Sequence, residues 1–114
     1  MTGEPSYVEL GVPDADRARA FYGALLGWQV SGESGPGHVE TPTLHIGLHA
    51  DDPAAELLLF LAVDDLTASL AELDRLGGTR HGDVVNDAGF GLFAVCSDNQ
   101  GVRFALHQRH TRAS

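Results

Sequence analysis

Six histidines, sixteen aspartates and glutamates, one cysteine and seven basic residues are the groups with which this 114-residue chain can do chemistry. All seven basic residues are arginines, and lysine is absent. Schiff-base formation, a lysine general base and the lysine of a Walker-type phosphate loop are therefore excluded. The single cysteine, Cys96, rules out an intramolecular disulfide and a multi-thiolate zinc site. It stands between Val95 and Ser97 on a predicted strand with no Cys-His motif nearby, which reads as a buried, inert thiol. The chain has no Gly-x-Ser-x-Gly elbow, Walker motif or dinucleotide fingerprint. A net charge of -9 repels phosphate, so nucleic acid is not an expected partner. No apolar run approaches the ~20 residues of a membrane span, and Met1-Thr2-Gly3-Glu4-Pro5 lacks a signal-peptide profile. A cytoplasmic protein with no membrane partner is the expectation.

The elements that must position these groups follow from the hydrophobic pattern. Residues 7–12 alternate as a strand, with Val8, Leu10 and Val12 on one face and Tyr7, Glu9 and Gly11 on the other. Pro13 stops it, and Asp14 caps a helix in which Ala18, Phe21, Tyr22, Leu25 and Leu26 recur at helical spacing up to Gly27. That stripe assigns Phe21 to the core, and the Asp16, Arg17 and Arg19 face reads as solvated. Residues 28–33 predict a second strand closed by a Gly/Pro turn, and residues 38–41 and 43–49 two short strands parted by Pro42. Residues 51–56 read as a linker. Residues 57–63 are almost continuously apolar, as in a strand covered on both faces. Asp65 then caps a helix carrying Leu66, Leu70, Leu73 and Leu76, which Gly77-Gly78 ends. Strands follow at residues 82–86, 92–97 and 102–108, with Phe104 in the core.

The second half repeats the plan of the first. Sliding the chain so that Asp14 falls on Asp65 also pairs Leu10 with Leu61, Val12 with Val63, Ala20 with Ala71, Leu25 with Leu76 and Gly27 with Gly78. These identities fall on the strand, the cap and the helix stop, where local physics is most demanding. The fold class is therefore α+β: two βαβββ modules in tandem, about residues 5–50 and 57–109, within one domain spanning 1–114. Each module alone is too small to bury its sheet.

Val12-Pro13-Asp14, Arg17-Ala18-Arg19-Ala20-Phe21-Tyr22 and Leu25-Leu26-Gly27-Trp28 resemble the opening of the vicinal oxygen chelate superfamily. That group holds glyoxalase I, extradiol dioxygenases and bleomycin-resistance proteins. Ser97-Asp98-Asn99-Gln100-Gly101-Val102-Arg103-Phe104-Ala105-Leu106 resembles its closing turn and strand, with Asn99 where proline is usual. The resemblance covers almost the whole chain. It implies the glyoxalase/bleomycin-resistance fold with a curved mixed-sheet cleft, and a homodimer. In metal-dependent members, four ligands come from the first and fourth strands of each module. Carried over, those positions fall on Tyr7, Gly47, Leu58 and Ala105, none of them a usual ligand. One phenol beside Gly, Leu and Ala does not make a metal site, so neither metal nor cofactor is expected.

Strand parity then selects what would line such a cleft. If Gly47 faces it, so do His45 and His49; if Ala105 does, so do Arg103 and His107; Glu9 shares a face with Tyr7. His45 and His49 would sit ~13 Å apart on a strand, too far to bind one ion together. His38, His81 and His110 lie near turns or the tail and receive no role. Glu9 reads either as a polar anchor or proton acceptor with a burial-raised pKa, or as half of an ion pair with Arg103. Phe60 shares a face with Leu58, Phe90 stands between two glycines where it could cover a planar ligand, and Trp28 and Phe93 complete the aromatic candidates. The ligand-binding set is thus Tyr7, Glu9, His45, Arg103 and His107 with Trp28, Phe60, Phe90 and Phe93; no catalytic residue is assigned. The implied function is metal-independent binding of a small planar or hydrophobic molecule, as in drug- or toxin-sequestering members. The alternatives are a lyase, isomerase or dioxygenase with a displaced metal site, a metal-free acid-base enzyme using Glu9 and a histidine, or a structural module.

Overall fold

The computed structural model describes residues 3–109, so His110 lies outside the described residues. The order of elements is β1 (Pro5–Gly11), α1 (Ala15–Leu26), β2 (Gly37–Glu40), β3 (His45–His49), β4 (Glu56–Ala62), α2 (Leu66–Arg75), β5 (Thr79–Asp87), β6 (Gly91–Ser97) and β7 (Arg103–Arg109). Parallel and antiparallel pairings both occur, and the class is α+β. The chain divides into two units, Tyr7–Leu58 and Leu59–Ser114 with Met1–Ser6.

In the first unit, β3 lies between β1, which it pairs in parallel, and β2, which it pairs antiparallel. Leu10 sits opposite Leu48 and Val8 opposite Ile46, so one face of the sheet is apolar. Helix α1 covers that face. Asp14 Oδ1 accepts from the Arg17 N–H (3.1 Å) at its start, and Gly27 ends it in the left-handed conformation (φ 74). Leu10, Ala15, Ala18 and Leu48 form the core, with Tyr22, Trp28, Val30 and Ile46 packed around it. The contact uses small residues of α1 and only part of the predicted stripe. Phe21 is 58% exposed, against its assignment to the core, and Leu25 and Leu26 are exposed as well. Three short strands are too narrow a sheet to cover the whole helical stripe; Phe21 and Tyr22 meet edge to face, with ring centroids 5.1 Å apart.

Residues 28–33 do not form the predicted strand, so this half is βαββ rather than βαβββ. The cause is Arg19. Its guanidinium donates to the carbonyls of Val30 (3.0 Å), Ser31 (2.9 Å), Gly32 (3.1 Å) and Gly35 (2.6 Å). Asp16 Oδ1 accepts from the Gly35 N–H at 2.7 Å. Carbonyls turned towards a guanidinium are lost to a strand ladder. The helix face read as merely solvated is thus the anchor of a loop.

The second unit has the sheet order β4-β7-β6-β5 and keeps the full βαβββ plan, with β4 from Leu59 onward. Asp65 Oδ1 caps α2 through the Ala68 N–H (3.0 Å), and Gln108 Oε1 accepts from the Leu66 N–H (2.8 Å), with Leu66 fully buried. The helix ends two residues earlier than the repeat implies, and the left-handed glycine comes one residue earlier. Gly77 takes the left-handed conformation (φ 90), while Gly78 packs so closely on Leu73 that a Cβ there would collide. Strand β4 is covered on one face only: Leu58, Phe60 and Ala62 are buried, whereas Leu57 and Leu59 are exposed. Strand β5 starts earlier than predicted, is exposed along its length, and loses register between His81 and Val85, around Gly82 (φ 83). Phe104 is half-buried, and Cys96 is wholly buried, which pushes its thiol pKa up. Among the described residues no helix is long and apolar enough to cross a membrane.

Replacing Arg19 by alanine should lower stability by about 1–3 kcal/mol, the range for hydrogen bonds from a charged donor. Arg17→Ala, at an exposed side chain, should stay within about 0.5 kcal/mol. Urea unfolding of both variants checks this; equal losses would deny Arg19 its anchoring role.

Candidate functional site

The face of the first unit's sheet turned away from α1 carries the polar side chains. Register places Glu9 opposite Gly47 and Gly11 opposite His49, so each working side chain faces a residue without one. Those glycines are needed. A Cβ at Gly47 would strike Tyr7 Oη and Glu9 Oε1, and one at Gly11 would strike Asp52 Oδ2 and lie 2.5 Å from His49 Nε2. Tyr7 and Glu9 therefore lie across Gly47, and His49 with Asp52 across Gly11.

His49 stands between two carboxylates. Its Nδ1 is 2.6 Å from Glu9 Oε2 and its Nε2 is 3.0 Å from Asp52 Oδ2. Carboxylates only accept, so the ring satisfies both contacts as an imidazolium donating from both nitrogens. Its pKa is raised above the ordinary 6.5, chiefly by the bond to Glu9. Partial burial opposes the shift, while the bond to Asp52 and both negative charges add to it. Asp52 reaches the ring because the chain after β3 folds back: its N–H donates to Val12 O (3.0 Å), and Asp51 adopts a left-handed conformation (φ 59). Asp52 Oδ1 accepts from the Ala54 N–H at 2.9 Å, leaving Oδ2 for His49. Glu9 and Asp52 are 23% and 20% exposed against 43% for His49, so both anions are largely held and the ring edge is open to solvent.

The other candidates fall elsewhere. Phe60, Phe90, Phe93 and His107 pack on one another in the second unit. Phe90 stacks on His107 (3.8 Å, 7°), and Phe60 meets Phe90 at 5.5 Å and Phe93 at 5.3 Å. His107 is 3% exposed, with Nε2 donating to Phe90 O (2.8 Å) and Nδ1 2.9 Å from Ser6 Oγ. These rings clamp the 87–91 turn and the start of β1, and Phe90 closes on His107. Trp28 does not share the Glu9 face, because without the 28–33 strand it packs on the α1 side, stacked on Tyr22 at 5.0 Å. His45 is exposed opposite Glu40, and Arg103 is exposed opposite Ser97 in the second unit. The cation that Glu9 meets in its own unit is His49. Sequence parity named His49 without placing it in the site, and Asp52 went to the linker. The available signal was an aspartate three residues after a strand-ending histidine and just before Pro53. His81, given no role, has its Nε2 2.6 Å from Ser97 Oγ.

The residues present do not fit a metal ion. Gly47, Leu58 and Ala105 carry no side-chain donor, and the space over Gly47 is filled by Tyr7 and Glu9. Glu9, His49 and Asp52 bond in line through opposite sides of one ring and do not converge on a shared point. Among the described residues no group of three His, Cys, Asp or Glu is arranged to hold a metal.

Residues 7–107 match the model of a family described as glyoxalase-like domain. A search of curated proteins finds no match. Among solved structures, the chain is similar to a hypothetical protein from Bacillus halodurans C-125, with a TM-score of 0.74 and 14% identity over 100% of this chain and 99% of that one. It is also similar to methylmalonyl-CoA epimerase from Mycobacterium tuberculosis, with a TM-score of 0.69 and 18% identity over 97% and 91% of the two chains. Homoprotocatechuate 2,3-dioxygenase from Brevibacterium fuscum gives a TM-score of 0.69 at 22% identity, over 99% of this chain and 39% of that longer one. At such identities the likeness shows the fold.

A raised folded-state pKa means that His49 contributes stability that is fully present below its unfolded value near 6.5 and lost as pH rises through the folded value. An NMR titration should show His49 titrating above 6.5, and Glu9→Gln should bring it down. A His49 titration unmoved by Glu9→Gln would contradict the pairing.

Proposed function

The chain belongs to the glyoxalase-like domain family, within the vicinal oxygen chelate superfamily, and from that premise we propose that it binds a small organic molecule without a metal ion, with Glu9 as the polar anchor. One observation carries this reading: Glu9 is held through Oε2 by His49, while Oε1 is turned over Gly47 beside the Tyr7 phenol. A carboxylate fixed in this way is preorganised to accept a hydrogen bond or a positive charge. With His49 protonated, two carboxylates outweigh one imidazolium, so the favoured ligand has a planar or hydrophobic body and a cationic or N–H-bearing group. The biological logic is mass action, in which binding keeps a toxic or reactive compound from its target. The active form on this reading is a homodimer.

The 2.6 Å contact between Glu9 and His49 favours a second reading, a metal-free acid-base enzyme in which this pair relays a proton. Solvent deuterium separates the two. A ligand that is only bound leaves the protein unlabelled, whereas a carbon acid turned over by the pair gains deuterium in a Glu9-dependent way.

A thermal-shift screen with planar aromatic amines should raise Tm for some members, and calorimetry should then show Glu9→Gln weakening such a hit about tenfold. Indifference to every compound tested would sink the binding reading; unchanged affinity would remove Glu9 from it. Light scattering should give twice the chain mass.

A further inference from the structure

Beside β2 lies a depression of about 560 Å³ that the Glu9 site does not use. It is bordered by β2 and by the 28–33 segment that Arg19 holds as a loop. The segment touches β2 at Ser31, whose N–H donates to His38 O (2.9 Å) and whose Oγ accepts from the His38 N–H (2.9 Å). His38 thus turns both backbone groups outward, away from β3. Two residues on, Glu40 has the same orientation by strand periodicity, so its backbone edge faces the gap.

Trp28 and Glu40 both line this depression. Stacking on Tyr22 at 5.0 Å and 20° holds the indole, so the ring is a fixed wall. Gln29, Ser31, Thr41 and Pro42 complete much of the lining, in which Glu40 is the single carboxylate and no arginine takes part. Among the described residues the Glu40 carboxylate has no hydrogen-bond or ion-pair partner. The volume lies within the ~300–1,000 Å³ of small-molecule sites. An indole and a carboxylate lining one cavity suit an organic cation, because ring quadrupole and anion can act on the same positive charge. The chain's charge of -9 adds a long-range attraction of the same sign.

We propose that this depression is a second binding site, separate from Glu9, for a small organic cation such as a quaternary ammonium or a protonated amine. The Glu9 site lies on the opposite face of the sheet from the core in which Trp28 packs, so the two sites can be tested apart.

Trp28 is the only tryptophan of the chain, so its emission reports on this site directly. Titrating the whole protein with tetramethylammonium should change the fluorescence saturably, and tert-butanol, a neutral molecule of similar size, should not. Glu40→Gln should raise the apparent Kd about two- to fivefold, the span of an exposed ion pair, while Glu9→Gln leaves it unchanged. No saturable response, an equal response to tert-butanol, or a Kd indifferent to Glu40→Gln would each overturn the proposal. A Kd that moves with Glu9→Gln and not with Glu40→Gln would assign the cation to the Glu9 site instead.

Discussion

Parallel pairing of β1 with β3 sets Glu9 opposite Gly47 and Gly11 opposite His49, and much of the first unit follows from that register. A slip of β1 by one residue would send Leu10 to the open face and Glu9 into the core beside Leu48, which burial of an unpaired carboxylate disfavours. In register, the two glycines leave hollows that the neighbouring Tyr7, Glu9, His49 and Asp52 side chains fill. The hydrogen-bonded line Glu9-His49-Asp52 is a consequence of this packing as much as of charge. The same packing leaves no space for a side chain at Gly47.

Helix α1 supports both faces of its surroundings through residues of unlike character. Ala15 and Ala18 let it approach Leu10 and Leu48 closely, which closes the core under the Glu9 face. One turn away, Arg19 gathers four carbonyls and Asp16 one N–H, converting a stretch of strand-like sequence into an ordered loop. Leaving β2 without a neighbour along part of its edge creates the hollow next to Trp28. A single arginine therefore anchors the loop that stands in place of the expected strand and borders the cavity.

Much of the fold was legible because local rules govern it. Asp14 and Asp65 cap helices by the same hydrogen bond at matching places in the repeat, and Gly27 stops the first helix as a left-handed glycine should. The repeat misled where packing intervened: Gly78 matches Gly27 in sequence, yet contact with Leu73 hands the left-handed role to Gly77. Phe21 obeyed helical periodicity but met no sheet wide enough to cover it. At the candidate site, parity put Tyr7, Glu9, His45 and His49 on one face, but could not say which would touch. Asp52 looked like linker because its role depends on a backward turn held by Val12.

By itself the sequence determined the α+β plan, the two capped helices, the family and the lack of donor side chains at Gly47, Leu58 and Ala105, since these depend on residue type and short-range spacing. Tertiary structure decided the chemistry: that His49 bridges Glu9 and Asp52, that His107 is locked between Ser6 and Phe90, and that Arg19 trades a strand for a loop. Apart from the His49–Asp52 contact, held by a backward turn, those outcomes turn on groups brought together from beyond one element, where geometry chooses a partner and periodicity is silent.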